Sequence, residues 1–285
     1  AIGWSDARAV FFASGRIHQS RYVKVGSYYR IYSSVLIRKS SGSYRNYVLY
    51  SNDFGASWAV LGGTYALEGD CDEAKVDELP NGDIMLSSRQ SGHRRINVFH
   101  FSGNDWTTGS WQGADNTTDM TVSSDACNGD MMIVPVVKKS DNTKKYLILH
   151  SVPQGGLVND TRMWTVINYK EIEAKNSYTV NELKSGWNAN PYRVTNYQSA
   201  YSAMALKNDG TIAFLYTQNS NGALFSIAYK NLTIEQITNQ AYSYDPSFGG
   251  TAQPETYCKL VNGTNVRSAK NLIASDQGVV TGTEY

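Results

Sequence analysis

The chain has 285 residues, 41% of them hydrophobic, enough to bury a substantial core as one folded domain. Lysine and arginine total 26 against 25 aspartates and glutamates, so no global field draws it toward nucleic acid or an anionic membrane, and its partner must be recognised locally. No apolar run approaches the roughly 18 residues of a membrane-spanning helix.

Cys71, Cys127 and Cys258 are odd in number and lack CxxC or Cys/His spacing, which argues against a zinc site and a disulfide framework and leaves three buried apolar side chains. His18, His93, His100 and His150 form no HxH or HExxH pattern, so no metal and no cofactor is expected. The sequons at Asn116, Asn159, Asn231 and Asn262 carry no functional weight. Ala1 opens without methionine or a signal pattern, which reads as an internal point of a longer precursor.

Short Val/Ile/Tyr/Leu runs bounded by Gly, Asn, Asp and Ser recur from end to end, so the expected fold is all-β. In chain order, hairpins are expected at 28–37 with 46–50, 74–79 with 83–88, 131–137 with 146–150, and 202–206 with 211–216. Their spacing matches propeller blades of about 40 to 50 residues. Residues 51–58, SNDFGASW, follow a strand directly and predict a turn: Asp53 accepts backbone N–H groups, Gly55 takes positive φ, and Trp58 folds back as an apolar anchor. Brief helical turns are expected at 170–174 and 232–237, and 239–285 is polar and turn-rich.

Two hairpins carry the chemistry. In EAKVDELPNGDIMLSSR (73–89), Asn81-Gly82 signals a two-residue turn that would set Leu79 opposite Ile84 and Ala74 opposite Arg89. Glu73 and Arg89 then emerge together at the open end. In YSAMALKNDGTIAFLY (201–216), Asp209-Gly210 plays the same part, setting Asn208 opposite Thr211 and leaving Tyr201 at the open end.

Together with the S-x-D-x-G-x-x-W stretch ahead of them, which matches an Asp box, these two segments resemble the bacterial-type exo-α-sialidases (neuraminidases), in the same order. The resemblance implies a six-bladed sialidase-type β-propeller, of which residues 1–245 supply roughly four blades; 246–285 is a C-terminal segment that either supplies a ring-closing strand or begins another module. It implies Tyr201 as nucleophile and Glu73 as its base, with Arg89 and Arg162 binding the substrate carboxylate; Arg193 competes with Arg162, and Gln19 lies where a pocket-lining loop is expected. Sialylated glycans are the implied substrates and a secreted, periplasmic or cell-surface site the implied location.

The chemistry is consistent with that reading. Arginines supply planar bidentate donors for a carboxylate. A neutral phenol avoids repulsion by that carboxylate, but its pKa near 10 calls for an adjacent base.

Two departures stand out. The early arginine in an R-I-P context and the acid/base aspartate after it are missing, so an N-terminal segment of the same enzyme is expected as a partner, and the chain alone is an incomplete enzyme. Thr217 stands where the family has a glutamate sixteen residues after the tyrosine, as a weakened sialic-acid-binding propeller would also show.

Overall fold

A computed structural model describes residues 4–12, 16–69, 71–103, 106–120, 122, 127–154, 164–220, 223–249, 265–267 and 276–279. Among them, four antiparallel sheets follow one another along the chain as four blades of a β-propeller. In the first blade, β1 (Ala7–Phe12) and β2 (His18–Val25) share the inner edge of β3 (Tyr28–Lys39), followed by β4 (Tyr44–Ser51), β5 (Ala59–Val60) and β6 (Leu67–Gly69). The second blade holds β7 (Ala74–Glu78), β8 (Ile84–Gln90), β9 (His93–Phe101), β10 (Gly109–Trp111) and β11 (Asp115–Asn116). The third holds β12 (Met131–Lys138), β13 (Thr143–Gln154), β14 (Trp164–Ile172) and β15 (Tyr192–Arg193), and β19 (Tyr242–Tyr244) returns to pair with β12. The fourth holds β16 (Ser202–Leu206), β17 (Ile212–Ser220) and β18 (Ala223–Leu232).

Contacts divide the chain into two compact units, Ala1–Thr251 and Ala252–Tyr285. The second contains β20 (Asn265–Arg267) paired antiparallel with β21 (Asp276–Val279). No described helix is long and apolar enough to cross a membrane.

The blades pack face to face because their strands are apolar on both sides. Tyr32 and Val48 of the first blade meet Ala74, Val76, Ile84 and Leu86 of the second. Met85, Ile96 and Val98 meet Met131, Ile133 and Ile148 of the third. The next residues of that run, Met132, Val134 and Val136, point to the other side and meet Met204, Ile212 and Phe214 of the fourth. Each fully buried Val, Leu, Ile, Met or Phe contributes about 1.5–3 kcal/mol.

Outside these faces the expected turn at 51–58 forms as the sequence suggests. Ser57 N donates to Asp53 Oδ1 at 2.8 Å, Gly55 has φ +92°, and Trp58 Nε1 donates to Gly55 O at 3.1 Å. The helical turn at 232–237 appears as α2 (Ile234–Ile237), capped by Thr233. The one expected at 170–174 does not form. There β14 runs to Ile172, and the helical turn is instead α1 (Val180–Leu183), where the Thr179 hydroxyl accepts from Glu182 N in a capping box. Cys71 and Cys127 are buried and form no disulfide, and Cys258 lies outside the described residues.

The inner edge of β12 is closed by side chains where no strand covers it. Arg16 Nη2 donates to Met131 O at 2.7 Å, Arg21 Nη1 to Ile133 O at 2.7 Å, and Ile133 N donates to Asp77 Oδ2 at 3.2 Å. Asp77, 1% exposed, also accepts from Arg16, and from Arg21 Nη2 at 2.8 Å. Its neighbour Glu78 accepts from Ser20 Oγ at 2.5 Å and Arg21 N at 2.6 Å. Burial pushes the Asp77 carboxyl up, but His18, Arg16 and Arg21 overcome it and hold the group well below the usual carboxylate range.

Between the second and third blades lies a polar layer. Arg94 donates through Nε to Ser87 Oγ at 3.1 Å and through Nη2 to Ser87 O at 2.7 Å. Ser87 Oγ lies 2.8 Å from His150 Nε2, and His150 Nδ1 lies 3.0 Å from Ser151 O. Because a carbonyl only accepts, the proton sits on Nδ1 and Ser87 donates to Nε2. Burial, with the charge of Arg94, lowers the His150 pKa well below 6.5 and keeps the ring neutral.

Two outcomes follow from these buried groups. Asp77→Ala strands Arg16, Arg21 and the Ile133 amide, and chemical denaturation should register a loss of about 3–5 kcal/mol. For His150 the folded pKa lies below the unfolded one, so its contribution is complete above roughly pH 6.5 and is lost as pH falls further, because the unfolded chain then binds the extra proton. Denaturant midpoints at pH 7.5 and pH 5.5 should therefore converge in His150→Gln relative to the parent protein.

Candidate active site

The two chemistry-bearing hairpins have a register one residue away from the one a two-residue turn would give. Leu79 N donates to Asp83 O at 2.8 Å and Gly82 N to Leu79 O at 2.8 Å, so the loop is Pro80-Asn81-Gly82, with Gly82 at φ +88°. Strand partners are then Glu78 with Ile84 and Ala74 with Ser88. The second hairpin repeats the geometry: Lys207 N donates to Thr211 O at 2.8 Å, Gly210 has φ +80°, and Ser202 faces Tyr216.

This register sets Glu73 directly across from Arg89, whose amide donates to Glu73 O at 2.8 Å. It likewise sets Tyr201 across from Thr217, whose amide donates to Tyr201 O at 2.9 Å. The open ends of the two hairpins meet. Arg89 Nη1 donates to Glu73 Oε2 at 2.8 Å, and the Tyr201 hydroxyl donates to Glu73 Oε1 at 3.4 Å. Arg89 Nη1 also reaches the Tyr201 oxygen at 3.5 Å. Side-chain exposures of 22% for Arg89 and 23% for Glu73 leave the cluster open to a ligand.

Burial, together with the Glu73 charge, raises the Tyr201 pKa above its ordinary value, while Arg89 pulls it back. Arg89 itself loses some basicity to burial, but its bond to Glu73 and the charge of Asp72 more than restore it. The guanidinium is permanently charged. Such a cluster can bind an anion on the free side of Arg89 and pass a proton from a phenol to a carboxylate.

The other candidates are placed differently. Gln19 lies on β2 opposite Ile31, between the buried His18 and Ser20. Arg193, on β15, is exposed and stacks on the Trp164 ring with its guanidinium carbon 3.3 Å from the centroid. Arg162 lies outside the described residues. Among the described residues no group of three or more His, Cys, Asp or Glu side chains could hold a metal ion.

Two residues near the cluster have local roles that the sequence reading does not assign to them. Cys127, buried, acts electrostatically on both Arg89 and Tyr201. Thr217 Oγ accepts from Tyr201 N at 3.0 Å and from Ala200 N at 3.3 Å, fixing the backbone that presents the phenol. The sequence reading marks Thr217 only as standing in place of the family's glutamate; its grip on the Tyr201 backbone follows from its pairing with Tyr201 across the hairpin.

No family model matches the chain, and no curated protein matches it in sequence. Solved structures do. The intramolecular trans-sialidase of Ruminococcus gnavus, in complex with oseltamivir carboxylate, superposes with a TM-score of 0.55 at 18% identity, over 81% of this chain and 45% of that one. The leech intramolecular trans-sialidase gives 0.55 at 15% identity, over 82% of this chain and 33% of that one. The NanB sialidase of Streptococcus pneumoniae gives 0.52 at 18% identity, over 80% and 32%. The chain thus spans less than half the length of these proteins, and the likeness is one of fold: four blades of a sialidase-type propeller.

Proposed function

We propose that this chain is the nucleophile-bearing part of an exo-α-sialidase that releases terminal sialic acid from glycoconjugates with retention of configuration. The observation that carries this reading is the meeting of Tyr201, Glu73 and Arg89, brought together from hairpins 128 residues apart in sequence. Arg89, with Arg162 as a second donor, takes the substrate carboxylate, and Gln19 lines the pocket. Tyr201 attacks the anomeric carbon as its proton passes to Glu73, and the aglycone leaves with a proton from an acid that this chain does not supply. Water, activated by that same group now that it has given up its proton, then attacks the anomeric carbon and cleaves the sialyl-tyrosine bond, while Glu73 returns its proton to the phenol.

The missing acid and first arginine come, in this reading, from an N-terminal segment of the same enzyme. Supporting this, the outer face of the fourth blade exposes Leu215 at 47%, Ile227 at 73% and Tyr229 at 55%, an apolar surface of the kind the other blades bury against a neighbour. Sialylated glycans place the enzyme in the secreted, periplasmic or cell-surface compartment.

The full-length protein should hydrolyse an aryl sialoside, releasing the α-anomer first by NMR. Tyr201→Phe should abolish turnover, and Glu73→Gln should lower kcat by about 100- to 10,000-fold. Binding of sialic acid without turnover in the parent protein would mark a binding propeller instead, as the Thr217 substitution allows. The chain expressed alone should be inactive. A folded, monomeric, active preparation of it would overturn the N-terminal partner.

A further inference from the structure

The face of the second blade that looks toward the third alternates in a way the proposed chemistry does not use. Glu73, just ahead of β7, and Lys75 and Asp77 within it share this face, each two apart. Glu73 joins the candidate site and Asp77 the ion network on β12, whereas Lys75 ends between them in the polar layer. It is 3% exposed, and its Nζ has no hydrogen-bond partner among the described residues.

A second cation stands beside it. Lys75 faces Ser87 across the β7–β8 ladder, and Ser87 is the residue that Arg94 grips through Nε and Nη2. Arg94 is 0% exposed and its remaining nitrogen, Nη1, likewise has no partner among the described residues. Lys75 and Arg94 repel one another, and both act on the neutral His150 ring. The buried carboxylate beside Lys75 is Asp130, whose oxygens accept from Met131 N at 2.9 Å and Met204 N at 2.7 Å. Among the described residues the two buried cations therefore face one fully buried anion whose oxygens are already engaged, while Glu73 acts on both cations, and Asp72 on Arg94, from the partly exposed candidate site.

Such an arrangement has two ways to settle. Lys75 could shed its proton, but burial, opposed by Asp130 and aided by Arg94, brings its pKa down only to about 8, so the ammonium persists at neutral pH. The other is a counter-ion. A water could accept from both nitrogens but would leave the repulsion between the two cations unrelieved in a dry interface, where an unpaired ion is costly. The substrate's own carboxylate is excluded, because neither nitrogen is open to solvent.

We propose that Lys75 Nζ and Arg94 Nη1 bind a small monovalent anion, chloride under physiological conditions, buried between the second and third blades beneath Glu73. The ion cancels the repulsion of the two cations and ties the blades together.

The test uses the full-length protein crystallised with millimolar bromide in place of chloride. An anomalous difference peak within contact distance of both Lys75 Nζ and Arg94 Nη1 is expected. In solution, the melting temperature at constant ionic strength should rise as chloride replaces gluconate, and Lys75→Met should abolish that response. Ordered Lys75 and Arg94 with only water density between them, or a chloride response that Lys75→Met leaves unchanged, overturns the proposal. The bromide experiment reads the unsubstituted protein, so it decides the matter even if the variant does not fold.

Discussion

The innermost strand of a blade has no strand beside it over much of its length, yet its buried N–H and C=O groups must still be paired. Here that requirement falls on charged side chains. Arg16 and Arg21 reach from the first blade to the carbonyls of Met131 and Ile133, and Asp77 of the second blade accepts the Ile133 amide. Asp130 does the same for Met204 of the fourth. Three inter-blade joints are thus closed by a handful of ions. A buried ion pair adds little net stability over an apolar replacement, but one member left alone is severely costly. The network therefore acts as a specificity device: blades offset along the axis would strand these charges.

The second consequence concerns β7. Ala74 and Val76 point to the first blade and make an ordinary apolar contact, while Glu73, Lys75 and Asp77 point the other way. A single five-residue strand thus serves the candidate site at one end and the axial ion network at the other. Its rigidity is shared: whatever fixes Asp77 fixes the position from which Glu73 meets Tyr201. On the facing hairpin, Thr217 holds the backbone of Tyr201 from both sides of the ladder, so the phenol is aimed by main-chain geometry before any ligand arrives.

Much of this was legible in the sequence, for reasons of range. The turn dipeptides Asn81-Gly82 and Asp209-Gly210, and the Asp53/Gly55/Trp58 turn, are local signals whose physics acts within a few residues. The blade strands and the meeting of Tyr201, Glu73 and Arg89 could be anticipated from them together with the sialidase resemblance. The register slipped because the same Gly at positive φ serves either a two-residue turn or the last position of a three-residue loop. A one-residue slip matters in a strand, since it exchanges the two faces. The ion network was invisible, because Arg16 meets Asp77 and Met131 across 61 and 115 residues and no local pattern encodes that pairing. The helical turn at α1 is readable from the Thr179…Glu182 capping box, whereas 170–174, where a helical turn is expected from the sequence, continues β14 to Ile172.

The geometry of Arg89 bears on how the proposed reaction could be ordered. In the ligand-free arrangement its Nη1 bonds Glu73 and also touches the Tyr201 oxygen, so the carboxylate and phenol are held side by side under one cation. A phenol whose pKa is raised by burial and by Glu73 does not ionise by itself near neutral pH, and it stays a poor nucleophile until a base removes its proton. In the proposed reaction, an arriving substrate carboxylate would compete with Glu73 for the same guanidinium. Drawing Arg89 toward the substrate would release Glu73 Oε2 to accept a proton at the moment the anomeric carbon comes within reach of Tyr201. Under this ordering one arginine both recognises the anion and gates the base, so the tyrosine is activated only when an anionic sugar is bound.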